Sequence, residues 1–226
     1  MSKLFDGMKW FKESFSAQID TAIAETPFSL HLMTALATQE TFEVWGNLFQ
    51  TMSVANILKI CVGDTIDAPG RTAFPTTKQN LLTDSNGQQL FAVARGALEA
   101  VGAHNATYHK VAMANPNKFC HGFGIFQYDI QLSRHGVDPD FFLQKKWFQF
   151  DQSLGKALEE LHQSQARAGL GGRAALSDLE QALVAIAYNT GSFNPTRGLK
   201  QGFEDKGSGK FYGELVFEYL SSSKSI

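Results

Sequence analysis

Glu40 closes a stripe that is otherwise apolar. Leu30, Met33, Ala37 and Glu40 recur at intervals of three and four, so they share one face of a helix expected from about 27 to 40. A carboxyl at the edge of an apolar face is partly withdrawn from water, which favours its protonated form. Phe42, Val44 and Trp45 follow and offer an apolar wall. An acid that keeps its proton near neutral pH can hand it to a leaving oxygen, the first requirement of glycoside cleavage. A second carboxylate often assists. The stretch from Val62 to Thr72 supplies Asp64 and Asp67, with Arg71 able to orient either and Thr65 or Thr72 able to hold a water. Turn capping is the competing role for both aspartates.

Two further segments carry groups suited to a ligand. Between Cys120 and Gln127, Gly122 and Gly124 allow close backbone approach, and Gln127 can hold either Glu40 or a substrate. Tyr188 and Asn189 end a helix just before Gly191, placing a flat ring and an amide side by side. Other chemistries find less support. Cys120 and His121 are adjacent, so their side chains diverge and do not form a nucleophile–base pair. Gly122-Phe123-Gly124 lacks the third glycine and the preceding strand of a dinucleotide fingerprint. No CxxC or HxxxH spacing supports a metal, and no cofactor is expected.

The elements that must position these groups are mainly helical. Periodicity predicts helices over 4–24, 27–40, 88–103, 151–165 and about 212–222. Thr26-Pro27 reads as a cap followed by proline at the first helical position, and Asp138-Pro139 starts a further helical segment. Ser177 and Glu180 form a capping-box pattern opening a helix that runs to Asn189. Residues 62–80 read as an irregular loop or small hairpin, 104–118 as polar turns, and the glycine turn at 121–124 as the opening of a short helix from Phe126 to Leu132.

A chain of 226 residues fits one domain with an attached arm: a helical arm at 1–25 and a domain at 26–226. With 43% hydrophobic residues it can bury a core, and its 19 Phe predict an aromatic-rich core or groove. A net charge of -2 without a basic cluster argues against nucleic acid as a partner. No apolar run approaches the roughly 18–20 residues of a membrane span, and the amphipathic N-terminus is not a signal peptide, so a soluble protein is expected. Cys61 and Cys120 are either two buried thiols or one disulfide.

In this order, Glu40, Gly122-Phe123-Gly124-Ile125-Phe126-Gln127 and Ala187-Tyr188-Asn189-Thr190-Gly191 resemble the lysozyme-like superfamily, in particular soluble lytic transglycosylases and related muramidases. The resemblance covers about residues 30–195. Thr41 stands where transglycosylases usually have Ser after the catalytic Glu, and the Asp64–Arg71 stretch is similar to the second-carboxylate loop of chitosanase-type members. The resemblance implies a mainly α (α+β) fold, a helical bundle with a small irregular or β lobe flanking a substrate groove. It implies a peptidoglycan glycosidase cutting between N-acetylmuramic acid and N-acetylglucosamine. Glu40 would be the general acid and Asp67 the second carboxylate, with Asp64 in reserve. Gln127, Tyr188, Asn189, Gly124, Arg71 and Thr72 would bind substrate. The alternatives are a chitosanase- or chitinase-type hydrolase and a non-catalytic glycan-binding module. Action at the cell wall or periplasm, without a recognisable export signal, would make an immunity or inhibitor protein a possible partner.

Overall fold

The computed structural model describes residues 2–64, 75–131 and 137–226. In chain order the helices are α1 (Lys3–Ile23), α2 (Leu30–Trp45), α3 (Val54–Ile60), α4 (Lys78–Leu81), α5 (Gly87–Gly102), α6 (Ala106–Ala114), α7 (Pro139–Leu143), α8 (Phe150–Arg167), α9 (Asp178–Thr190) and α10 (Tyr212–Lys224). The strands are β1 (Val62–Gly63), β2 (Gly122–Phe123), β3 (Tyr128–Asp129), β4 (Glu204–Asp205) and β5 (Lys210–Phe211). Among the described residues, ten helices against five two-residue strands make this a mainly α fold with a small β lobe, as expected. No described helix is long and apolar enough to cross a membrane.

The chain divides into two compact units, residues 1–42 with 154–226, and residues 43–153. α1 belongs to the first of these units. There Met8, Phe11, Phe15 and Ile19 form its buried face, and Lys12 Nζ donates to the carbonyls of Ser223 and Ile226 at the end of α10. A cation on those carbonyls satisfies acceptors that the helix itself cannot.

In the same unit α2 begins later than expected. Ser29, not Thr26, is the capping residue: its Oγ accepts from Leu32 N at 3.1 Å and donates to Gln181 Oε1 at 2.6 Å. Thr26 closes a local turn instead, accepting from Phe28 N. α9 starts at the capping box formed by Ser177 and Glu180, and it ends at Gly191 in the left-handed conformation, φ 72°. α10 packs against α9 through a glycine. A Cβ on Gly213 would stand 2.5 Å from both Ile186 Cδ1 and Leu199 O, so only glycine allows this approach.

In the second unit α5 carries a buried stripe of Leu90, Ala94, Ala97, Leu98 and Val101. α6 packs on α5. It replaces the polar turns expected at 104–118 because Asn105 accepts from Thr107 N and Tyr108 N, while Arg95 donates to the carbonyl of Ala112 in its last turn and to those of Asn115 and Lys118 beyond it. The sheet runs β1-β2-β3, all antiparallel, with Val62 opposite Phe123 and Gly122 opposite Asp129. A β2–β3 hairpin thus stands where a helix from Phe126 was expected. Gly124 (φ 80°) and Gln127 (φ 56°) are both left-handed, and Gln127 N donates to Gly124 O at 3.0 Å, so the chain reverses within four residues. The phenylalanines expected to build an aromatic core do so here: Phe123 meets Phe142 and Trp147 edge-on at centroid distances of 5.2 and 4.8 Å, and Phe142 stacks on Tyr128.

Candidate functional site

Within the first unit, Glu40 lies on the last turns of α2 and is half-buried. Its Oε1 accepts a hydrogen bond from the phenol of Tyr212 at 2.6 Å. Tyr212 is the first residue of α10 and is 2% exposed. Burial first, then the Glu40 carboxylate and Tyr188, hold that phenol well above its ordinary pKa. The phenol therefore keeps its proton and serves as a fixed donor to the carboxyl.

Tyr188 and Asn189 meet this pair from the end of α9, Tyr188 half-buried and Asn189 exposed. The link runs through Gly202. A Cβ built there would come within 2.6 Å of Tyr212 Cβ and 3.0 Å of Asn189 Oδ1, and the residue is left-handed at φ 83°. Two backbone bonds lock the loop beside it: Tyr212 N donates to Phe203 O at 2.8 Å and Gly213 N to Gln201 O at 3.2 Å. Phe203 leaves this turn with its side chain exposed. The structure thus brings together three of the residues picked from the sequence, Glu40, Tyr188 and Asn189, and adds Tyr212, Gly202 and Phe203. Neither Tyr212 nor Phe203 carries a local signal; the glycine-rich character of 197–213 is the trace that this segment makes a close approach.

The second unit holds another group of the expected residues. Gln127 folds its amide back over the sheet: Nε2 donates to Gly124 O at 2.9 Å. Its Oε1 stands 2.8 Å from where a Cβ of Gly63 would be and 2.3 Å from that of Gly122. The two glycines of β1 and β2 thus make the space that the amide fills. Tyr108 stands over the same spot, its phenol oxygen 2.9 Å from the Cβ position of Gly63. Tyr108 donates to Glu43, and burial, then the Glu43 charge, push its phenol upward. Glu43 is a carboxylate that the sequence alone did not single out.

Asp64 is half-buried and left-handed, φ 60°, with its carbonyl turned to His121. Asp67, Arg71 and Thr72 lie outside the described residues. His121 is 4% exposed, and its ring bridges two carbonyls, Nδ1 to Asp64 O and Nε2 to Pro75 O, each at 2.7 Å. Carbonyl oxygens only accept, so both contacts are satisfied only when both ring nitrogens carry hydrogen.

Cys61 and Cys120 are buried thiols. They precede β1 and β2, whose antiparallel pairing sends the two approaching segments to opposite ends of the ladder. Burial pushes the Cys120 thiol up, away from the thiolate a nucleophile requires. Among the described residues no group of three or more His, Cys, Asp or Glu is placed to hold a metal ion. No protein family, curated protein or solved structure matches the chain.

One outcome is expected. Gly202→Ala lowers stability by about 1–3 kcal/mol in urea unfolding, since the methyl overlaps Tyr212 and the backbone is left-handed. Gly209→Ala, left-handed but in open space, costs less; equal losses would show that the Tyr212 contact is not the cause.

Proposed function

We propose that this chain is a lysozyme-like glycosidase that cleaves peptidoglycan between N-acetylmuramic acid and N-acetylglucosamine, with Glu40 as the general acid. The observation that carries the reading is the 2.6 Å hydrogen bond from Tyr212 to Glu40 Oε1, made by a phenol buried deeply enough to remain a donor. By anchoring Oε1 it fixes the plane of the carboxyl, and with it the direction in which the acid presents its proton to the glycosidic oxygen. Proton transfer lets the C1–O bond break, and positive charge develops on the sugar ring as it does so. Tyr188 and Asn189 at the end of α9 offer a ring face and an amide to the same sugar, and the exposed ring of Phe203 offers a second face.

The sequence order of the three segments, which resembles that of the lysozyme-like superfamily, supports the same reading. Asp67 remains the second carboxylate of the proposal, with Asp64 in reserve. The glycosyl acceptor, water or the sugar's own hydroxyl, is then read from the products: reducing ends for hydrolysis, an anhydro sugar for transglycosylation.

The test is turbidity loss of purified cell walls, with chitosan as a parallel substrate. Wild type is expected to clear the walls and Glu40→Gln to lose at least 100-fold in rate, the lower range for removal of a general acid. Equal clearing by both removes Glu40 from the role. Turnover of chitosan alone moves the enzyme to the chitosanase class, and binding without turnover of either polymer makes it a glycan-binding module.

A further inference from the structure

Every other described phenylalanine is buried or half-buried, but Phe203 leaves its ring 59% exposed. A solitary exposed apolar side chain needs no explanation in general. The place of this one does. β4 and β5 pair with Glu204 opposite Phe211 and Asp205 opposite Lys210. One position further out, the same register sets Phe203 opposite Tyr212, and the 2.8 Å bond from Tyr212 N to Phe203 O closes that pair. Residues opposite one another in an antiparallel ladder send their side chains to the same face, with Cβ atoms about 4.5–5.5 Å apart. From that face Tyr212 turns inward to hold Glu40, while Phe203 beside it stays in solvent.

The backbone under the exposed ring is fixed on both sides. Before it, Gly202 packs against Tyr212 Cβ in a space that admits no side chain. Beyond it, Ser208 closes the turn of the hairpin: its N and Oγ donate to Asp205 Oδ2 at 2.8 and 2.6 Å. Lys210 Nζ donates to Glu218 Oε1 at 2.6 Å and ties β5 to α10. A ring on such a backbone has only two side-chain torsions to restrain, so it offers a large contact area at low ordering cost.

We infer that the β4–β5 hairpin carries a sugar-binding platform: Phe203 stacks on the apolar C–H face of a pyranose in the glycan strand whose glycosidic oxygen Glu40 protonates. This inference rests on the glycosidase reading above. A pyranose presents hydroxyl and acetamido groups at its edges and C–H groups on its face, and that face covers a flat ring better than a branched aliphatic group. Phe203 lies beside the phenol that holds the acid and makes no bond to the reacting atoms. Its contact is the same in the ground state and the transition state, so it acts on substrate binding and leaves the chemical step unaltered.

Three variants test this: Phe203→Ala removes the ring, Phe203→Leu keeps apolar bulk without a flat face, and Phe203→Trp keeps a flat face. Binding of soluble peptidoglycan fragments is measured by calorimetry in the Glu40→Gln background, where turnover does not consume them. KM and kcat are measured with Glu40 in place. The side chain is exposed, so all three variants are expected to unfold close to the wild-type Tm. Phe203→Ala is expected to weaken binding and raise KM about 4–10-fold, one face of the ring being covered, with kcat within about 2-fold. Phe203→Leu is expected to weaken binding too, and Phe203→Trp to retain it.

Unchanged binding in Phe203→Ala overturns the inference, and so does full binding in Phe203→Leu. A lowered kcat with unaltered binding also overturns it, because the ring would then act by supporting Tyr212. Wild type that binds the fragments without turnover overturns the glycosidase reading; a weakened Phe203→Ala would then keep the platform, as part of a glycan-binding module. Wild type that neither binds nor turns over the fragments overturns both.

Discussion

The hydrogen bond from Tyr212 to Glu40 constrains much of the first unit. Its partners are 172 positions apart in the chain, so its 2.6 Å length has to be set by packing and not by local geometry. α10 must lie close enough to α9 for Gly213 to rest on Ile186, and the loop before α10 must pass between Tyr212 and Asn189 through a residue without a side chain. Lys12 fixes the far end of α10 through the carbonyls of Ser223 and Ile226. A buried phenol without a partner carries a desolvation penalty of about 1–3 kcal/mol, so the bond also stabilises the packing that makes it.

The second unit solves a similar problem with glycines at a sheet. Gly63 and Gly122 face the same amide, and Tyr108 stands above it with its phenol turned to Glu43. Side chains at either glycine would expel Gln127 from the sheet. His121 then ties the end of β1 to Pro75 through two backbone carbonyls. In both units a tyrosine that burial keeps protonated donates to a glutamate of α2, Glu40 in one and Glu43 in the other.

Parts of this arrangement are written locally in the sequence. Ser177 and Glu180 announce the start of α9 and Gly191 its end, because a helix terminus needs capping groups within three residues. The stripe ending at Glu40 places a carboxyl at the edge of a core for the same kind of local reason. Tyr212 had no such marker, since its partner is decided by tertiary packing. The β2–β3 hairpin was hidden by Gln127, a non-glycine residue in the left-handed region, which propensity reads as helix. Asn105 supplied a cap to α6 inside a stretch whose polarity suggested turns. The exposed carboxylate of Glu43 became noticeable only through the buried phenol that bonds it.

The central claim is that Tyr212 acts on the reaction through Glu40, and a double-mutant cycle on peptidoglycan turnover tests it most directly. Wild type, Tyr212→Phe, Glu40→Gln and the double variant are compared, with folding checked for each. The account predicts that Tyr212→Phe lowers turnover in the wild-type background and has no further effect once Glu40 is glutamine. An equal fold-loss from Tyr212→Phe in both backgrounds would contradict it.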